Sequence, residues 1–125
     1  MRNVLLVFLG GGLGSVLRYL TVFSMARMLP KAVFPWGVLT ANVFGSFVLG
    51  FLFALPAMKE KSSGPWLFAA TGFLGGYTTF STLSNDSWLL MVSQHSWLAL
   101  FNAFGSIVLG VIAAALGWWA GSKCA

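Results

Sequence analysis

Long apolar runs, separated by three short stretches rich in proline or polar residues, dominate the pattern of this chain. Val4 to Leu17, Trp36 to Met58, Trp66 to Leu83 and Trp97 to Ala120 carry no charged residue. A helix needs about 20 mostly apolar residues to cross the hydrocarbon layer. All four runs meet that requirement, the first by continuing past Arg18 to about Met28. The pattern predicts an all-α integral membrane protein. It forms a single membrane domain over residues 1–125, with spans near 4–28, 36–58, 66–92 and 97–120.

The connections fit that division. "RMLPKAVFP" has Pro30 and Pro35 as breakers with Arg27 and Lys31 beside them, "PAMKEKSSGP" reads as aqueous, and "SQHS" is short. Trp36, Trp66, Trp88, Trp97, Trp118 and Trp119 fall mostly at span ends, where an interfacial aromatic belt sits.

Composition agrees. The chain is 58% hydrophobic and 7% charged, against about a quarter charged in an average soluble domain. It lacks the polar surface a soluble fold would need. The net charge of +5 comes from residues scattered at span ends, a pattern that anchors helices to lipid headgroups and gives no nucleic-acid footprint. Cys124 is the lone cysteine, so no intrachain disulfide is available, and His95 has no second ligand at metal-binding spacing. The start, "MRNVLLVFLGGG", resembles a signal peptide, but no small-x-small cleavage site follows and the apolar pattern resumes beyond Arg18. A retained first helix is expected.

Basic residues of short loops set orientation. With four spans, Arg2, Lys59, Lys61 and Lys123 fall on one side and Arg27 and Lys31 on the other, four against two, with Glu60 diluting the larger group. So weak a bias lets a chain insert both ways round, and opposed copies could pair about an axis in the membrane plane. A uniformly oriented monomer or parallel dimer is the competing arrangement.

Small residues recur four apart: Gly10 and Gly14, Ser46 and Gly50, Gly72 and Gly76, Ser106 and Gly110, Gly117 and Gly121. Tight helix packing accounts for such pairs. Other polar features need more explanation. Arg18 lies in the first span, where burying a guanidinium costs about 2.5–3.5 kcal/mol on insertion scales. Asn42 sits deep in the second, with donors and an acceptor that lipid cannot satisfy. Asn102, Ser106 and Gly110 form one stripe on the fourth, which interhelical hydrogen bonding and an ion path explain equally well.

The segment "TGFLGGYTTFSTLSND" is the densest of these features. Gly75 and Gly76 weaken a helix, and the β-branched Thr78 and Thr79 follow. Hydroxyls can satisfy backbone groups freed by a break. A helix broken at mid-membrane offers carbonyls that suit a small hard cation, and the N-terminus of a half-helix that favours an anion. Phe80 and Leu83, three apart, share a face; Ser81 and Ser84 share the adjoining one, with Thr82 between. Asp86 is the only acid within a span.

"GGYTTFSTLS", with "GGLGSVLRY" in the first span and "PWGVLTANVFGS" in the second, resembles the Fluc/CrcB family of bacterial fluoride channels. The likeness covers length, four spans and three motifs in order. It implies a dual-topology, antiparallel homodimer in the bacterial inner membrane, with two fluoride pores and a structural sodium ion at the dimer centre. By position, it assigns the sodium ligands to the main-chain carbonyls of Gly75 and Thr78. It matches the pore asparagine to Asn42, the first-helix arginine to Arg18 and a pore phenylalanine to Phe80. This chain departs from the family pattern in having Leu83 at the second phenylalanine position and Asp86 where a glutamate is usual. Asn102, Ser106 and Gly110 stand at positions that vary among relatives.

The chemistry suits a fluoride pathway. A strongly hydrated anion must exchange water for donors, and asparagine amides, the hydroxyls of Ser81, Thr82, Ser84 and Ser106, and a phenylalanine edge supply them without a trapping charge. The expected function is passive discharge of cytoplasmic fluoride, with no enzymatic constellation present. A small dual-topology multidrug or cation exporter is the main alternative, but the first span offers Arg18 and no acid for proton exchange. A non-transporting assembly subunit held by glycine packing is another.

Overall fold

The computed structural model describes residues 1–124 and is all-helical over them. Helix α1 runs Arg2–Met28 and α2 runs Trp36–Ala54. Helix α3 covers residues 64–77 as an α turn (Gly64–Trp66), a π-helical stretch (Leu67–Leu74) and a second α turn (Gly75–Tyr77). Helix α4 is Phe80–Val92, and α5 is Ser96–Cys124 with a π-helical stretch at Phe101–Gly105. Helices α1, α2 and α5 are long and apolar enough to cross a membrane. The third segment is a broken helix, α3 and α4 separated by Thr78 and Thr79.

Local chemistry sets these ends. Pro30 and Pro35 lack the N–H that a continuous helix needs, so α1 stops before them and α2 restarts at Trp36. Ser63 caps α3, its hydroxyl accepting from the Trp66 N–H at 3.4 Å, with proline in the first turn. Between α4 and α5 the chain turns sharply through Gln94, whose φ of 63° is left-handed.

Glycines decide which helices meet. α1 lies against α3 because a side chain on Gly10 or Gly14 would run into the carbonyls of Phe68 or Phe73, and one on Gly72 would lie 2.9 Å from the Val7 carbonyl oxygen. α2 lies against α5 in the same way, Gly50 on Ala114 and Gly117 on Phe47. In lipid no hydrophobic force drives helices together, so this close backbone approach supplies packing that larger side chains would prevent. The small-residue pairs are therefore contact surfaces between helices.

The interior is thin. Val38, Leu39, Ala41, Leu74 and Tyr77 are buried along the centre, whereas Phe8, Val111, Trp118 and many other large apolar side chains point outward. That is the surface of a protein solvated by hydrocarbon. Cations stack on rings near the span ends, Arg27 on Phe23 at 5.4 Å and Lys61 on Phe53 at 5.3 Å, which lets long basic side chains reach the headgroups along aromatic stems.

Candidate permeation site at the helix break

The break falls two residues beyond the paired glycines. Thr78 (φ −83°, ψ 158°) and Thr79 (φ −152°, ψ 120°) are extended, a conformation β-branched residues adopt readily. Gly76 instead serves contact with α1, where a side chain would strike the Gly11 carbonyl. The glycines admit α1 and the threonines make the break.

Breaking a helix orphans backbone groups, and each must find a partner away from water. Asn42, reaching across from α2, resolves the centre of the break. Its Oδ1 accepts from the Thr79 N–H at 2.8 Å and its Nδ2 donates to the Thr79 carbonyl at 3.0 Å. One amide thus substitutes for two helical bonds of a residue only 8% exposed. The Thr79 hydroxyl then caps α4, accepting from the Thr82 N–H at 3.2 Å and donating to Thr82 Oγ1 at 3.0 Å. Thr78 closes the end of α3, its N–H and hydroxyl both reaching the Leu74 carbonyl, at 3.0 and 2.9 Å.

These bonds have a consequence for two carbonyls. In an unbroken α-helix the Thr79 N–H would bond the Gly75 carbonyl, and the Thr82 N–H the Thr78 carbonyl. Both donors are engaged elsewhere. Gly75 is exposed and a side chain there would meet nothing nearer than the Ala70 carbonyl oxygen at 4.0 Å. The Thr78 carbonyl accepts one long contact, 3.4 Å, from Nη1 of Arg18. Arg18 thereby finds a polar partner at membrane depth.

A groove of about 500 Å³ opens at the break. It gathers Asn42, Gly75, Thr78, Phe80, Leu83 and Ser106, with Gly110 and Ser46 further along. Phe80 is 78% exposed and Leu83 only 7%, so although three apart they are not equivalent: the phenylalanine ring projects while the leucine fills the wall. Ser106 is buried and its hydroxyl has no protein partner among the described residues.

Other sequence candidates lie off the groove. Ser81 is exposed and joins the Thr79 hydroxyl at 3.3 Å; Ser84, also exposed, turns its hydroxyl back to the Phe80 carbonyl at 3.0 Å. Asn102 is fully buried behind Leu83, donating to the Leu83 carbonyl at 3.3 Å and to Ser87 Oγ at 3.0 Å, with Oδ1 unpartnered among the described residues. Thr82 and Asp86 face a second cavity, between α4 and the α1–α2 connection.

Three supporting residues escaped the sequence reading. Tyr77 is buried with its hydroxyl 3.2 Å from Thr21 Oγ1 on α1, and Ser87 joins Asn102 to the Leu83 carbonyl. The signal for Tyr77 was its phenol, which needs a polar partner at membrane depth.

A discontinuous helix, its break bonded by a neighbouring helix's amide and opening on a groove, defines a multi-pass membrane protein of the transport class. In bacteria such a protein resides in the inner membrane. Residues 5–118 match the family described as CrcB-like protein, Camphor Resistance (CrcB). The chain is 39% identical to the fluoride-specific ion channel FluC of Bacteroides fragilis over 125 residues, covering 98% of both chains. It is 46% identical over 113 residues to fluoride-specific ion channel FluC 2 of Mycobacterium tuberculosis, covering 90% of this chain and 86% of that one. With the FluC of Shewanella pealeana it shares 41% over 117 residues, 94% of each. The chain belongs to the CrcB family, whose members are ion channels and not enzymes.

Proposed function

We propose that this protein is a fluoride-selective channel that discharges cytoplasmic fluoride passively across the bacterial inner membrane. It crosses the membrane four times, α3 and α4 together forming the third crossing, and works as an antiparallel homodimer with two pores. The observation that carries the reading is the groove at the break, where Asn42, Phe80 and the unpartnered Ser106 hydroxyl meet. Relatives named for fluoride supply the ion's identity.

The residues suit an anion that must lose its water. Asn42 has one amide hydrogen not engaged by Thr79, Ser106 has a free hydroxyl, and the ring edge of Phe80 carries partial positive charge. None bears a full charge, so binding stays weak enough for release. The open side of the groove and the exposed Phe80 favour closure by a second copy, as does the weak orientation bias of the basic residues.

A structural sodium ion fits the chemistry of the break. The carbonyls of Gly75 and Thr78, deprived of their helical donors by Asn42 and by the Thr79 hydroxyl, would hold it. When bound, the ion supplies positive charge between the two pathways. Arg18, on the Thr78 carbonyl, orients that group from the α1 side.

Purified protein in liposomes loaded with fluoride should release it when a potassium ionophore sets the driving force, and chloride should not follow. A multidrug exporter would instead move organic cations against protons, and an assembly subunit would move nothing. Absence of fluoride release from well-folded proteoliposomes overturns the proposal.

A further inference from the structure

The second cavity has a composition unlike the groove. It holds about 360 Å³ between the end of α1, the α1–α2 connection, the start of α2 and the first half of α4. Its walls are apolar, from Val22 and Pro30 to the edge-on pair Phe34 and Trp36, whose centroids are 4.8 Å apart. Its polar groups on α4 are Thr82 and Asp86.

Asp86 is half-buried, and no ion pair or hydrogen bond is made to its carboxylate among the described residues. The cations on that side are otherwise placed. Arg27 is stacked on Phe23, and Lys31 is exposed on the connection. A carboxylate partly withdrawn from water is ordinarily paired, so this one lacks a counter-charge inside a cavity of ligand-binding size.

We propose that this cavity binds an organic monocation with an apolar body. The charge would sit against Asp86, the body against Phe34, Trp36 and Pro30, where ring faces add cation–π attraction. Competing occupants suit it less. An anion meets the carboxylate, and a neutral apolar molecule leaves that carboxylate uncompensated. A hard divalent cation needs about six oxygens to replace its hydration shell, and a monovalent one several, so one carboxylate with one hydroxyl falls short. The site is linked to the break through Thr82, which lines the cavity and accepts from the Thr79 hydroxyl.

Benzyltrimethylammonium is a suitable probe, with binding to the purified protein in detergent followed by saturation-transfer NMR, a readout independent of the ion conducted. Saturable binding is expected, weakened at least about tenfold in Asp86→Asn and Asp86→Ser by loss of a Coulombic partner in a partly desolvated site. It should also weaken in Val33→Phe, which fills the cavity from the connection and leaves the carboxylate in place. Two aspartate variants guard against one failing to fold. No saturable binding at millimolar probe overturns the proposal. So does unchanged affinity in a folded aspartate variant, which would make the contact merely apolar.

Discussion

Replacing Asn42 tests whether the break depends on a side chain from another helix. Asn42→Ala removes the 2.8 Å and 3.0 Å bonds together and leaves the Thr79 N–H and carbonyl without partners in a buried setting. A buried group stranded in this way costs about 1–3 kcal/mol, so the pair costs about 2–6 kcal/mol. Since about 1.4 kcal/mol is a factor of ten in an equilibrium, even the lower figure shifts the break geometry more than tenfold toward alternatives. The melting temperature in detergent should fall, and fluoride efflux from liposomes should drop at least about tenfold on the same ground. Asn42→Asp refines the test. In its acid form the carboxyl accepts from the Thr79 N–H and donates to the Thr79 carbonyl, as the amide does; ionised, it is acceptor-only and opposes that carbonyl. Its efflux should therefore recover as the pH is lowered, relative to wild type at each pH. An Asn42→Ala protein with wild-type melting and efflux would refute the reasoning, because Thr79 would then be satisfied without the amide.

Thr79→Ser should keep the cap on α4, whereas Thr79→Val should lose about 1 kcal/mol of stability, read as a lower melting temperature. Gly14→Val should disrupt the α1–α3 contact through the Phe73 carbonyl, while Gly12→Ala, which meets nothing within 4 Å, should melt like wild type. Gly75→Val separates subunit from dimer. Within one chain a Cβ there has room, so an abolished efflux with a lost dimer on cross-linking would place the obstruction in the proposed second copy or at the proposed ion. Retained dimer and efflux would remove Gly75 from both roles. Moving Lys59 and Lys61 to the α1–α2 connection should change the ratio of orientations reported by terminal cysteine labelling; an unaltered ratio counts against charge-set dual topology.

The sequence carried the helices and their contacts well, because both depend on short-range rules. Pro30 and Pro35 leave little choice of helix ends between the first two helices, whereas the second apolar run reads on to Met58 and α2 stops at Ala54, just before Pro56; glycines four apart mark where backbones touch. The break was legible as a region but not as a position. The pattern predicts a break over the segment from Gly75 to Thr78; the glycines there remain helical, while the chain extends at Thr78 and Thr79. The deciding factor is a long-range bond from Asn42, which no local propensity encodes. Equally hidden was the division among the hydroxyls. Periodicity places Ser81 and Ser84 on one face but cannot tell that Ser84 bonds its own helix while Ser106, on the next helix α5, has no hydroxyl partner among the described residues. The two π-helical stretches, which shift side-chain register within α3 and α5, leave no mark in an apolar pattern.

The dependence of the break on α2 also bears on how the chain enters a membrane. Helix α4 has 13 residues, about 20 Å of helix, against about 30 Å of hydrocarbon; α3 is of similar length, so neither half crosses alone. Joined, they carry exposed main-chain groups that lipid cannot accept. The third segment is thus a poor substrate for independent insertion until the Asn42 amide stands ready beside it. Chain order meets this need, since the ribosome delivers α2 before α3. Insertion of the third segment becomes a templated step, in which an already inserted helix lends the amide that lets an interrupted one leave water.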